Sequence, residues 1–329
     1  MPSSIPTDSS SPAEPFATRH VSQVLSVPPK NRWLIEPLWF KAGVGILGGH
    51  AKVCKTHLAA ELALAVASGH PALGQLQVSS KGPVLFYGAE DALPMLRGRF
   101  EDLAKARGLS LDDIPLFLLD VPLLRLDQTH HLDRLRAAVK HLRPRLLVLD
   151  PLVRIARLDE NSAADVSALL GDLRAMQRDF DLAVLLVHHA RKSKAQNPGQ
   201  ALRGSSDISA WSDTNLYLSR KKQHLTLQVE HRFAAPPPPL QLQLSTDPAV
   251  HLSILNYHSP IASDTNDPNQ NLDPLQQQLL QLLSQHRPLT TVALRSLLHR
   301  RKQLVVAALN RLQELNLAER SPEGWRLPT

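Results

Sequence analysis

The stretch Gly43–Gly69 reads GVGILGGHAKVCKTHLAAELALAVASG. Val44–Leu47 is a short apolar run that ends in glycines, as a strand buried on both faces would. A short loop follows, then Lys55-Thr56, then a segment rich in Ala and Leu through Ser68 with the composition of a helix. Strand, loop and helix in that order surround an anion site with backbone N–H groups, at the positive end of a helix dipole. The motif G-x-x-x-x-G-K-[ST] fits Gly49, His50, Ala51, Lys52, Val53, Cys54, Lys55 and Thr56, except that Cys54 stands where the second glycine belongs. These residues predict a nucleotide site. Lys55 would contact the β- and γ-phosphates of ATP, and the Thr56 hydroxyl would ligate Mg²⁺. The glycine that Cys54 replaces usually takes a positive φ, at a cost of about 1–2 kcal/mol to a residue with a side chain. A degenerate loop that has lost ATP is the alternative.

Around this segment, apolar runs alternate with amphipathic ones, which predicts an α/β core with a mostly parallel sheet. Strands are expected at Gly82–Tyr87, Leu116–Leu119, Arg145–Leu149 and Ala183–Val187, and helices at Leu93–Arg107, Leu132–Leu142 and Ala163–Phe180. Thr214–Ser219 and His224–Glu230 read as a hairpin, and Leu240–Leu244 (LQLQL) as an edge-type strand. Residues 1–30 are rich in Ser and Pro and read as a disordered tail. Residues 31–258 form the predicted core, 259–273 a polar linker, and 274–329 a small C-terminal domain.

Two acidic positions suit phosphate chemistry. The apolar strand RLLVLD ends in Asp150, where a carboxylate can hold the Mg²⁺ shell; a turn or cap before Pro151 is the plainer reading. GPVLFYGAED ends in Glu90-Asp91, one of which could orient an attacking water; a solvated loop is the alternative. His188 follows AVLLV at a strand end, where it would sense the γ-phosphate or serve as a structural residue.

Together these segments resemble the RecA-like ATPases, nearest to the RepA-type replicative helicases and the broader DnaB-type hexameric class. The similarity covers about Trp33–Leu244. YGAED resembles the strand with the catalytic glutamate and points to Glu90; LLVLDPL resembles Walker B and points to Asp150. LLVHHARKS resembles the sensor strand, with His188 and His189 at its tip. ALRGSSDISAWSD resembles the segment after a mobile channel loop. VEHRFAAPPP resembles the late strand with an arginine finger, which points to Arg232. The resemblance implies a homohexameric ring with ATP at protomer interfaces. Single-stranded DNA would lie in the channel, against the polar loop that carries Lys192, Lys194 and Arg203.

The C-terminal segment reads as three helices, about Pro274–Ser284, one opened by Thr290-Thr291 (either of which could be its N-cap) and running through Leu298, and about Gln303–Leu315, followed by strand, turn and strand. That pattern resembles a winged helix. Arg300, Arg301, Lys302 and Arg311 would meet duplex DNA, although such domains also dock proteins. Of 329 residues 43% are hydrophobic, and the net charge of +7 leans toward a polyanionic partner. One cysteine rules out an internal disulfide, and neither a signal peptide nor a membrane span is visible, so a cytoplasmic location is expected. The leading expectation is an ATP-driven DNA helicase or translocase. The rival is a DNA-binding regulatory ATPase that switches with nucleotide and does not unwind.

Overall fold

The computed structural model describes residues 16–28, 31–157, 163–189, 210–222, 224–255, 274–285, 288–298, 302–314 and 317–327. Contacts divide the chain into two compact units, Met1–Tyr257 and His258–Thr329.

The first unit opens with a hairpin of β1 (Trp33–Ile35) and β2 (Trp39–Phe40). Next come β3 (Val44–Gly49), α1 (Lys55–Ser68), β4 (Val84–Gly88), α2 (Leu93–Lys105), β5 (Leu116–Leu118) and α3 (Thr129–Leu142). They are followed by β6 (Leu146–Asp150), α4 (Leu152–Ile155), α5 (Ala163–Phe180) and β7 (Ala183–His189). The antiparallel run β8 (Thr214–Lys221), β9 (His224–His231), β10 (Leu240–Ser245) and β11 (His251–Leu255) completes the unit.

One nine-stranded sheet has the order β11-β10-β9-β8-β3-β7-β6-β4-β5. From β8 to β5 every pairing is parallel; β8 to β11 continue it antiparallel. The inner strands are apolar throughout because both faces are covered: β6 and the first six residues of β7 are wholly buried. One face packs under α1 and α2, with Leu58, Leu62, Phe86 and Phe100 in its core. The other packs under α3, α4 and α5, with Leu135, Val139, Leu173 and Met176. This mixed α/β architecture fits the RecA-like core expected from the sequence.

Helix α1 begins and ends where its sequence says it should. Eleven of its residues are buried, nine of them Ala, Leu or Val, and Gly69 closes it with φ 79° and a bond from its N–H to Ala65 O. One expectation is corrected. Leu240–Ser245 is not an edge strand, because β11 pairs with it from Gln241 to Ser245. The alternation of LQLQL reflects one buried face rather than a free edge. The short strands β1, β2 and β11 had no legible signal of their own. In the stretch expected to be a disordered tail, Val21–Gln23 forms a 3₁₀ turn capped by the His20 ring, while residues 1–15 lie outside the described residues.

The second unit holds α6 (Pro274–Gln285), α7 (Thr291–Leu298), α8 (Lys302–Glu314) and a hairpin of β12 (Glu319–Ser321) with β13 (Gly324–Arg326). Leu279, Leu283, Leu294, Leu309 and Trp325 form its core. Thr290 Oγ1 accepts from Ala293 N–H at 3.2 Å and caps α7. Leu289 exchanges backbone bonds of 2.9 and 2.8 Å with Trp325, adding a bridge beside the hairpin. Gly324 is needed there, since a Cβ would stand 2.6 Å from Leu289 O. The expected linker, 259–273, lies outside the described residues.

Candidate functional site

The loop after β3 sits at the carboxyl edge of the parallel strands, where α/β sheets bind ligands. Its strand must be slim: a Cβ on Gly45 would stand 1.9 Å from Thr214 O, and one on Gly49 would stand 2.3 Å from Leu218 O. Neighbouring β8 therefore passes close beside β3. Cys54 adopts φ 68° and ψ 28° as the residue before α1, so it bears the left-handed conformation that a glycine would take freely. Its side chain packs on the core under α1 and α2.

Lys55 is buried, and its Nζ donates to Gly49 O at 3.0 Å and His50 O at 2.7 Å. The ammonium thus closes the loop on itself, in the space beside the N-terminus of α1. Burial pushes its pKa below the ordinary lysine range, and the Asp150 and Glu90 carboxylates pull it back up.

Asp150 ends β6, two strands away from β3, with β7 between them. Its side chain is buried, and burial pushes its pKa up to about 6. A hydrogen bond with the Thr56 side chain opposes that shift, Glu90 and Asp91 add to it, and Lys55 opposes it. Asp150 Oδ2 is buried without a hydrogen-bond partner. An orphaned carboxylate oxygen beside a hydroxyl suits a hard divalent cation. Among the described residues no group of three or more His, Cys, Asp or Glu converges as a metal centre. A cation held by Asp150 and Thr56 would therefore take its remaining ligands from phosphate and water.

Glu90 lies two residues past β4 and accepts from Arg154 Nε at 3.1 Å. Asp91 pairs with Arg99 at 2.9 Å. His188 is buried on β7 in register with Gly48. Five of the sequence-derived residues, Lys55, Thr56, Glu90, Asp150 and His188, thus gather along one sheet edge.

The family model for the AAA domain matches residues 10–195, more than half of the chain. The chain belongs to the AAA domain family. The matched residues lie in the first unit, and an AAA domain implies nucleotide binding there. Among solved structures, the chain resembles that of a DnaB-like replicative helicase studied with its interactions with primase. The identity is 13%, the TM-score 0.48, and the match covers 62% of this chain and 56% of the other. The matched part thus spans just over half the length of that protein.

Arg232, beyond the residues matched by the family model, stands apart from the cluster. The antiparallel pairing of Thr214 with His231 puts the end of β9 beside the start of β8. Arg232 is therefore at the amino edge of the parallel strands, roughly 16 Å along the sheet from the P-loop edge at about 3.3 Å per residue. Its guanidinium is exposed and lies 5.7 Å from the Phe233 ring centroid. Lys192, Lys194 and Arg203 lie outside the described residues, as do Arg300 and Arg301. Lys302 and Arg311 are both exposed on α8.

Sequence reading missed Arg154. It sits on the single turn α4, four positions after Asp150, and nothing in LDPLVRI signals that it reaches Glu90. It also left Asp213 without a role, although the motif that contains it had been noted.

Proposed function

We propose that this protein is an ATP-driven DNA translocase or helicase of RepA type, working as a ring with ATP at the protomer interfaces. The observation that carries the reading is the orphaned Asp150 oxygen beside Thr56 and Lys55, with Glu90 at the same edge. Lys55 would bind the β- and γ-phosphates, after its bonds to Gly49 and His50 are exchanged for phosphate oxygens. Thr56 and Asp150 would hold Mg²⁺, which neutralises charge on the phosphates when bound. Glu90 would orient water toward the γ-phosphate, and His188 would report its presence to β7.

Arg232 cannot serve the nucleotide of its own protomer from the far edge. In a ring it would face a neighbour's nucleotide and stabilise transition-state charge there. The stretch with Lys192, Lys194 and Arg203 would line the channel and follow single-stranded DNA. The second unit, read as a winged helix, would hold duplex DNA through Arg300, Arg301, Lys302 and Arg311. No described helix is long and apolar enough to cross a membrane.

ATP turnover with and without single-stranded DNA, strand displacement on a forked duplex, and light scattering test this together. DNA-stimulated turnover, displaced strand and a hexamer mass are expected. Absence of hydrolysis would remove the enzymatic reading. Hydrolysis by an assembled ring without strand displacement would favour the second reading, a nucleotide-driven DNA-binding switch. The bond between Glu90 and Arg154 speaks for that alternative, since it occupies one oxygen of the carboxylate proposed to orient water.

A further inference from the structure

Asp213 ties three elements together at the amino edge of the sheet. Its carboxylate takes both guanidinium arms of Arg174, from α5: Nη1 to Oδ2 at 2.7 Å and Nη2 to Oδ1 at 3.1 Å. The same Oδ2 accepts from Val44 N–H at 3.0 Å, at the first residue of β3. Its own N–H returns a 2.8 Å bond to Val44 O, and its carbonyl accepts from Arg232 N–H at 2.9 Å. Arg174 also donates to Trp211 O and lies 5.6 Å from the Trp211 ring centroid. Asp213 is 6% exposed, so the carboxylate is committed to these partners and is not available to solvent.

This is more than a sheet needs for closure. A bidentate arginine fixes both the position and the plane of a carboxylate. The backbone of Asp213 is held from the other side by Val44. Its carbonyl is therefore a rigid anchor, and the backbone bond to Arg232 hangs from it. Beyond that bond the Arg232 side chain is exposed, lies over Phe233 and has no ion pair among the described residues. The placement of its guanidinium is set through the backbone, from Asp213.

We propose that the Asp213–Arg174 pair is the positioning device of the arginine finger, setting where Arg232 meets the nucleotide of a neighbouring protomer. This rests on the reading of Arg232 as a finger that acts in trans. Asp213 and Arg174 touch no nucleotide; they act through Arg232. A reacting group displaced by about 1 Å costs on the order of a hundredfold in rate. Asp213→Asn removes the charge and replaces one accepting oxygen with an NH₂ donor, so the Arg174 fork loses an arm; kcat falls by about that factor, while KM for ATP stays within about threefold because the P-loop is untouched.

Asp213 also bonds β3, so its effect could run through the P-loop of its own protomer, and mixed rings separate the two routes. Lys55→Ala supplies intact fingers without a working P-loop, and Arg232→Ala supplies intact P-loops without fingers. If Asp213 positions the finger, Asp213→Asn gains turnover when mixed with Lys55→Ala and none when mixed with Arg232→Ala. The reverse pattern, rescue by both, or rescue by neither overturns the proposal. Arg174→Lys, which keeps the charge and loses the fork, repeats the experiment with less risk to folding and should show the same partner preference with a smaller loss. Lys55→Ala mixed with Arg232→Ala is run alongside. Failure of that pair to complement removes the trans finger itself, and this proposal with it; success there with the wrong pattern for Asp213→Asn removes the positioning role alone.

Discussion

Arg154 Nε donates to Glu90 Oε1 across 3.1 Å, joining the turn after the Asp150 strand to the carboxylate proposed to orient water. Both side chains are about half exposed, and such a pair contributes less than about 1 kcal/mol. It is weak enough to open when a ligand competes for either group, and strong enough to lower the population of free Glu90. Arg154→Ala should therefore raise ATP turnover in the absence of DNA by about two- to fivefold, the rate equivalent of that energy. Glu90→Gln should keep ATP binding and stop hydrolysis, and the double variant should match Glu90→Gln. A drop in turnover for Arg154→Ala would mean that Arg154 assists the reaction instead of restraining it.

Lys55→Ala should reduce hydrolysis to background, because the cation proposed for the β- and γ-phosphates is gone. Turnover at the wild-type level in that variant would dismiss the P-loop assignment, whatever the other residues do.

Asp150 makes a prediction about pH for the nucleotide-free protein. Its folded pKa of about 6 lies above the ordinary value of 3.8, so the folded state holds the proton more tightly than the unfolded chain. Between these values the folded state binds more protons, and this group's contribution to stability falls as pH rises. The full penalty is present above pH 6, on the order of 3 kcal/mol. Asp150→Asn should therefore melt higher than wild type at pH 8, with the gap closing as pH drops toward 4, and should be inactive. An equal gap at both pH values in thermal melts would show that the carboxylate is not penalised by burial.

Cys54 holds φ 68° at the start of α1. A side chain in that region costs about 1–2 kcal/mol, part of which glycine returns in lost chain entropy. Cys54→Gly should leave the fold intact and raise the unfolding free energy by a few tenths to about 1 kcal/mol, read by denaturant melts. A loss of more than that would show that packing of the thiol against the core outweighs the backbone strain.

The second unit should account for duplex binding. Replacing Lys302 and Arg311 with Gln in the full chain should weaken duplex affinity and flatten its salt dependence by about one unit for each phosphate contact removed. A chain without residues 258–329 should keep ATP turnover and lose duplex binding. Unchanged duplex affinity after both changes would assign this unit to protein docking.

Much of the fold was legible because it is written in short-range pattern. The helix Lys55–Ser68 is bounded by a loop and by Gly69, and an uninterrupted Ala- and Leu-rich run needs no distant partner to be recognised. The buried strands at Leu146–Asp150 and Ala183–His189 stand out as β-branched and leucine runs of strand length. The hairpin of β8 and β9 shows in its two alternating segments. Strands of two to five residues, such as Trp39–Phe40 and His251–Leu255, are too short for a period to emerge, and pairing in the sheet is what makes them strands. The candidate site was half legible. Lys55, Thr56 and Asp150 sit at ends of elements, where the motif itself places them.

By itself, then, the sequence determined which of the longer segments become strands and helices and that a phosphate loop lies between β3 and α1, since both follow from local composition, period and glycine placement. Only the tertiary structure decided how those segments neighbour one another. It inserted β7 between β3 and β6, which brings His188 to the edge shared by Lys55 and Asp150, and it turned β9 so that Arg232 lies at the opposite edge. It paired Glu90 with Arg154, 64 residues away, and Asp213 with Arg174, 39 residues away. Such pairings depend on strand order and on which faces of distant elements meet. Those are fixed by packing the whole core at once, and no window of the chain contains that information.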